Sequence, residues 1–172
     1  QIKLLVLFLL YTGCRISDVS GLQVRDVNLT ENIPTMYLRD NEIRRLDKNG
    51  LRSNIPLVGP LLEELRKYQP PEGSRDSFLP QLGRLKSYRD RAGQEASKVL
   101  KAAKVVRDGV RPHSARHTWQ DRLDAARVPI AERDYLIAHK TEHSSAIAMA
   151  YGSSYPPKNM LENQLAALNC LD

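Results

Sequence analysis

Residues 111–119 read RPHSARHTW, which places two arginines, two histidines and the only tryptophan of the chain within one short segment. Pro112 suits the start of a helix. On that helix His113, Arg116 and His117 are spaced three and four apart, so they share a face close to a positive helix N-terminus. Such a face favours phosphate, and its imidazoles offer proton transfer. Nothing in the segment attacks a substrate well, so it is half of a site. Taken alone it also fits a solvated basic turn with a capping histidine. The choice depends on what the rest of the chain supplies.

Working toward the N-terminus, residues 60–69 (PLLEELRKYQ) suit a helix with proline in its first turn, and PPEGSRD after it suits a loop. TMYLR and SNIPLV have strand composition, and DKNG between them is turn chemistry, so residues 22–58 predict a small antiparallel sheet with a hairpin. Residues 2–11 suit a core helix broken by Thr12 and Gly13, with a short second helix beginning at Ser17 or the turn before it. Working toward the C-terminus, residues 86–106 predict a basic helix with Ala96, Val99, Leu100 and Ala103 on one side. Helices are expected over 113–126, 130–138, 144–150 and 157–170, the last with Leu161, Leu165 and Leu168 on one stripe. The pattern is α+β, mostly helical with one small antiparallel sheet, in a single domain spanning 1–172.

The chain has 172 residues, enough for one real core, and 26 Lys and Arg against 20 Asp and Glu, a net charge of +6. The excess of positive charge points to a polyanionic partner. Sparse aromatics argue against a surface that mainly stacks unpaired bases. Cys14 and Cys170 form no metal-ligand pattern, and a reducing compartment is the simpler setting for them. The opening QIKLLVLFLLY is too short to span a bilayer and is not followed by a cleavage site, so it reads as a buried helix. It does not begin with Met, and a further N-terminal part is expected before it.

Four segments occur in a fixed order: TGCRISDVSGL, HSARHTW, an Ala-His pair at 138–139 and a tyrosine at 151. Together they resemble the catalytic domain of tyrosine recombinases, the phage integrase family, from about residue 4 to 152. The family shows T-G-x-R-x-S-E/D-x-x-x-L, then H-x-x-R-H-T/S-aromatic, then G-H, then Tyr. The resemblance implies Arg15 and Arg116 as the arginines that bind the scissile phosphate, His113 as the histidine paired with the second, and His139 as the second catalytic histidine. It implies Tyr151 as nucleophile, with Asp18 and His117 bracing the site. DKNGLRSNIPL resembles the family hairpin K-x-G-x-x-x-x-I/V-P, which implies Lys48 as general acid. Ala138 stands where the family usually has Gly. The interval from His139 to Tyr151 is longer than in many relatives, which makes His143 and Tyr155 competitors for the two roles.

The chemistry explains the residue types. Attack on a phosphodiester builds charge on the non-bridging oxygens, and two guanidiniums bind these with fixed geometry. A phenol must lose its proton as it attacks, which nearby arginines favour and a neutral His113 can accept. Lys48 can protonate the departing 5′-oxygen, and His139 can hydrogen-bond a phosphate oxygen. No metal or other cofactor is called for. Tyr151 ends the short helix AIAMAY and precedes a permissive Gly152, whereas Tyr155 precedes Pro156 and Pro157 and suits packing. Trp119 is expected in the core, His117 as a buried brace, and Asp18 as an ion-pair partner.

The implied partners are double-stranded DNA at attachment sites and, on DNA, further protomers in the tetrameric synapse of the family, with a monomer expected otherwise. Arg84, Lys86, Arg89, Arg91, Lys98, Lys101 and Lys104 either track DNA phosphates or form a solvated face. The expected protein is a cytoplasmic, bacterial or phage-encoded site-specific recombinase. A topoisomerase of type IB and an inactive DNA-binding module are the alternatives.

Overall fold

The computed structural model describes residues 1–46, 53–83, 88–104, 110–139, 141 and 155–170. The expected DKNG turn and the expected helix over 144–150 lie outside these, as do Lys48, Arg84, Lys86, His143 and Tyr151.

Helix α1 (Ile2–Thr12) runs through the centre and packs against α3 (Gly59–Lys67), α5 (Tyr88–Ala102) and α6 (Ser114–Ala125). Leu4, Leu5, Phe8 and Leu9 are buried among them. Each such side chain contributes roughly 1.5–3 kcal/mol on leaving water, which is why a segment this apolar settles inside. Among the described residues no helix is long and apolar enough to cross a membrane. A five-residue helix α2 (Ile16–Ser20) follows α1 and packs on α5.

The sheet has three antiparallel strands in the order β1 (Val27–Asn28), β2 (Thr35–Leu38), β3 (Ser53–Pro56). Val27 pairs with Met36, and Met36 with Ile55. Met36, Leu38 and Ile55 point into the core while Tyr37 faces out, the period-two alternation of a half-covered sheet. A short helix α4 (Pro80–Gly83) precedes α5. Helix α7 (Ile130–Leu136) follows α6 and packs on β3, and the final helix α8 (Pro157–Asn169) covers α6 and β3.

Two helix faces differ from expectation. On α5 the buried positions are Ala92 and Ala96, while Val99 and Ala103 are exposed. The small alanines let α5 lie close against α1 and α2. On α8 the buried stripe is Met160, Gln164 and Ala167, one step round from the expected leucines, and Leu165 is exposed. Leu168 instead lies over Gly59, where a Cβ would come within 3.1 Å of it. Gly59 has φ 58, so its lack of a side chain serves both backbone and contact.

Candidate active site

The TGCR segment forms one side of the site. α1 ends at Gly13, whose φ of 63 is left-handed and whose N–H donates to the Leu9 carbonyl. A Cβ at Gly13 would lie 3.0 Å from Trp119 and 3.2 Å from Ile137, so glycine is required for space as well as conformation. The Thr12 hydroxyl donates to the Phe8 carbonyl at 2.6 Å and accepts the Cys14 N–H at 3.2 Å, which locks the turn. Arg15 then caps α2, and its N–H donates to the Asp18 carboxylate at 3.3 Å. Asp18 also lies 3.9 Å from the Arg15 guanidinium. Burial pushes its carboxyl up, against the pull of Arg44 and Arg15.

HSARHTW forms the second side. The helix begins at Ser114 with His113 as its cap residue. Arg116 is buried, and its Nη1 donates to the carbonyls of Gly13 at 2.8 Å and Ile137 at 2.7 Å. Its Nη2 has no hydrogen-bond partner among the described residues. Trp119 is fully buried, as expected for the aromatic position. His117 is not: it is exposed, and its ring meets the His113 ring edge-on at 5.2 Å. The helix turns the Arg116 face inward, and position 117 falls one step off that face.

The third side is the turn after α7. Ala138 has φ 51, and its carbonyl accepts the Arg15 Nη1 at 3.2 Å. His139 donates its N–H to the Asp134 carbonyl at 2.7 Å. Residues 13, 15, 116 and 137–139 are therefore one hydrogen-bonded unit, with two guanidiniums meeting carbonyls of adjacent residues. Partial burial, then the charges of His117, Arg116 and Arg15, push the His113 pKa down; partial burial, Arg116 and Arg15 do the same to His139, opposed by Asp134. Both imidazoles are biased toward the neutral form, in which one ring nitrogen accepts a proton. Burial lowers Arg116 too, aided by Arg15. Two guanidiniums share this unit, and one keeps a donor without a partner among the described residues, an arrangement that can hold an anion.

A groove of about 930 Å³ lies between α5 and the start of α6, lined by Ile16, Lys98, Lys101, Arg111 and His113 among others. Arg91, Lys98, Lys101 and Lys104 are exposed, and Lys98 pairs with Glu95 at 2.7 Å. Arg89 lies on α5.

Residues 1–155 match the model of the phage integrase family. The chain belongs to that family. It is 25% identical over 167 residues to the tyrosine recombinase XerA of Pyrococcus furiosus, a match covering 94% of this chain and 56% of XerA. The chain thus spans about half the length of the curated relative it matches. Its fold is similar to that of the integrase from mycobacterium phage Brujita, with TM-score 0.68 and 16% identity over 99% of this chain and 52% of that one. It is also similar to the XerH site-specific recombinase bound to difH substrate in a pre-cleavage complex, with TM-score 0.59 and 18% identity over 86% of this chain and 42% of that one.

In this phage integrase family chain the fold brings Arg15, Asp18, His113, Arg116 and His139 into one neighbourhood. Two residues of the site neighbourhood escaped the sequence. Arg44 is buried beneath α2, where its Nη1 donates to the Asp18 carbonyl at 2.8 Å. Tyr135 is buried, and its hydroxyl accepts the Asn54 N–H of β3 at 2.8 Å, tying the sheet to α7. Tyr155 packs its ring against Tyr135 with centroids 4.8 Å apart. The cysteine before Arg15 is buried, and burial raises its thiol pKa to about 12.

Proposed function

We propose that this chain is the catalytic domain of a site-specific DNA recombinase that cleaves and rejoins duplex DNA through a 3′-phosphotyrosine. The observation that carries the proposal is Arg116: buried, fixed through Nη1 to two carbonyls, and with Nη2 left unpartnered among the described residues, beside Arg15 and two histidines biased toward neutrality. A buried donor without a partner is expensive, and a phosphate oxygen would satisfy it with a charge-assisted bond.

In this mechanism Arg15 and Arg116 hold the non-bridging oxygens of the scissile phosphate, and His139 donates to one of them. The Tyr151 hydroxyl attacks phosphorus and yields its proton to His113. The bond from phosphorus to the 5′-oxygen breaks, and Lys48 delivers a proton to that oxygen. The tyrosyl phosphate conserves the energy of the broken bond, so an incoming 5′-hydroxyl can reverse the step on the same or another strand. Asp18 fixes the Arg15 backbone. Lys98, Lys101 and Arg111 offer charge along the groove for flanking phosphates, with further protomers of the chain joining on DNA.

The test is a nicked suicide duplex that traps the covalent complex, followed by peptide mass spectrometry. DNA should be found on Tyr151, Tyr151→Phe should abolish the adduct, and Tyr155→Phe should retain it. An adduct on Tyr155, or none at all with intact binding, refutes the proposal. Running a supercoil-relaxation assay beside a paired-site recombination assay separates a recombinase from a topoisomerase.

A further inference from the structure

We propose that Arg44 is a positioning residue for DNA cleavage: it fastens residues 39–46, the segment that leads in sequence to Lys48, to the helix whose cap is Arg15. The inference rests on the role proposed above for Lys48.

Residues 39–46, which follow β2, are held by a closed set of hydrogen bonds. Arg44 Nη1 donates to the Asp18 carbonyl at 2.8 Å and Nη2 to the Arg39 carbonyl at 2.7 Å. The Asn41 side chain accepts the N–H groups of Ile43 and Arg44, and donates to the Gly21 carbonyl at 2.9 Å and to Asp26 at 3.0 Å. Arg39 donates to the other oxygen of Asp26 at 2.9 Å. Leu46 donates its N–H to the Asp40 carboxylate at 2.8 Å. Residues 39–46 are thus sewn to the end of α2.

Arg44 is placed to transmit this attachment. It is only 2% exposed, and its stem crosses α2 at Gly21, where a Cβ would come within 2.5 Å of the arginine Cβ. A guanidinium is a costly group to bury, and a merely space-filling role would be met more cheaply by an apolar residue. What the guanidinium adds is direction, because its planar fork fixes two carbonyls at once. One belongs to Asp18, whose carboxylate caps Arg15; the other belongs to Arg39, at the exit of β2. Lys48 follows Leu46 by two residues, so its Cα stays within about 7 Å of that anchored backbone. Fixing Leu46 relative to α2 therefore confines where a proton donor can stand relative to Arg15.

The experiment compares two suicide duplexes, one with oxygen and one with sulfur bridging to the 5′-carbon at the scissile phosphate. In both, a phosphorus–tyrosyl oxygen bond forms and the bond to the 5′ atom breaks. The sulfur leaves as thiolate and needs no proton, so loss of proton delivery affects the oxygen substrate alone. Arg44→Met should cleave the oxygen substrate roughly 100-fold more slowly, the lower end of what general acid catalysis supplies, and the sulfur substrate within a few-fold of the unsubstituted chain. Arg44→Lys, which keeps the charge and stem without the fork, guards against a folding failure. It should show the same selective loss and add no further loss on the oxygen substrate when combined with Lys48→Ala.

Equal loss on both substrates, or no loss on either, overturns the role of Arg44. Additive losses in the Arg44→Lys and Lys48→Ala combination do the same. The behaviour of Lys48→Ala alone separates the two levels. If the sulfur substrate rescues it and not Arg44→Met, the inference about Arg44 fails and the acid assignment stands. If the sulfur substrate does not rescue Lys48→Ala, the acid assignment fails and the inference falls with it.

Discussion

Two left-handed turns flank the guanidinium centre, one closing α1 at Gly13 with φ 63 and one following α7 at Ala138 with φ 51. Both present carbonyls to arginines: Gly13 and Ile137 to Arg116, Ala138 to Arg15. Their chemistry differs. Gly13 carries no conformational strain, and its missing side chain admits Trp119 and Ile137. Ala138 holds a conformation that costs an L-residue roughly 1–2 kcal/mol. It is kept there by its own N–H to Tyr135, the His139 N–H to Asp134 and the two arginines. The difference teaches that a left-handed turn has two separable requirements, chirality and space. It also shows that the second turn leans on the same guanidiniums that are proposed to hold the scissile phosphate.

The most damaging way to break the comparison is to remove the residue common to both turns. Arg116→Ala leaves the buried Gly13 and Ile137 carbonyls without their donor and should lower the unfolding free energy by about 2–5 kcal/mol, measured by urea denaturation. It should also cut single-turnover cleavage roughly 100- to 1,000-fold, as loss of a charge-stabilising donor does elsewhere. Wild-type stability in this variant would show that the turns do not depend on the arginine.

Gly13→Ala strikes one turn only. The φ penalty of about 1–2 kcal/mol adds to the crowding against Trp119 and Ile137, for a total of about 2–4 kcal/mol in the same urea experiment. A loss under 1 kcal/mol would mean that the turn rearranges freely.

Ala138→Gly sharpens the contrast in the opposite direction. Relief of the left-handed strain, less the greater flexibility of glycine when unfolded, should raise stability by about 0.5–1 kcal/mol. A destabilised variant would show that the Ala138 methyl group contributes more by packing than it costs in strain.

The smallest effect is a shift in pH dependence. Both His113 and His139 are pushed below the ordinary 6.5, so protonation is disfavoured in the folded state. Above 6.5 they contribute nothing to stability. Below it the unfolded chain binds more protons, so stability falls with falling pH and levels off beneath the folded-state values. With His113 as the proposed acceptor of the tyrosyl proton, cleavage should hold through 6.5 and decline only below it. Arg15→Gln removes one of the charges responsible and should move the residual activity's midpoint upward toward 6.5. An unmoved midpoint would show that the Arg15 charge adds little, leaving burial, His117 and Arg116 as the causes.

The sequence made α1, the strand pair and the HSARHTW helix legible because each has strong local periodicity or a proline or glycine at its boundary. The convergence of Arg15, Asp18, His113, Arg116 and His139 was legible only through the ordered motifs, since none of these residues is a neighbour of all the others along the chain. Arg44 was hidden by its setting. In DNEIRRLDKNG an arginine looks like ordinary turn charge, and only the fold shows its stem crossing the bare Gly21 and its fork meeting the Asp18 and Arg39 carbonyls. His117 was misplaced because helical spacing gives a shared face without saying how far round that face the core extends. The buried face of α8 was shifted because its packing admits Gln164 at 0% exposure while leaving Leu165 partly in water, a choice set by neighbours and not by hydrophobicity along the helix.

The thiol beside Arg15 has a redox consequence. Cys14 is buried and raised to about 12, so at neutral pH it is almost entirely protonated and offers no thiolate for oxidation or alkylation. Cys170, exposed near the far end of the chain, has no such shelter. An oxidant therefore meets Cys170 first, and storage without reductant is expected to join chains in pairs through that residue. A thiol-reactive dye should label Cys170 at once and Cys14 only on unfolding, which makes the two cysteines a built-in reporter of whether the guanidinium centre is intact.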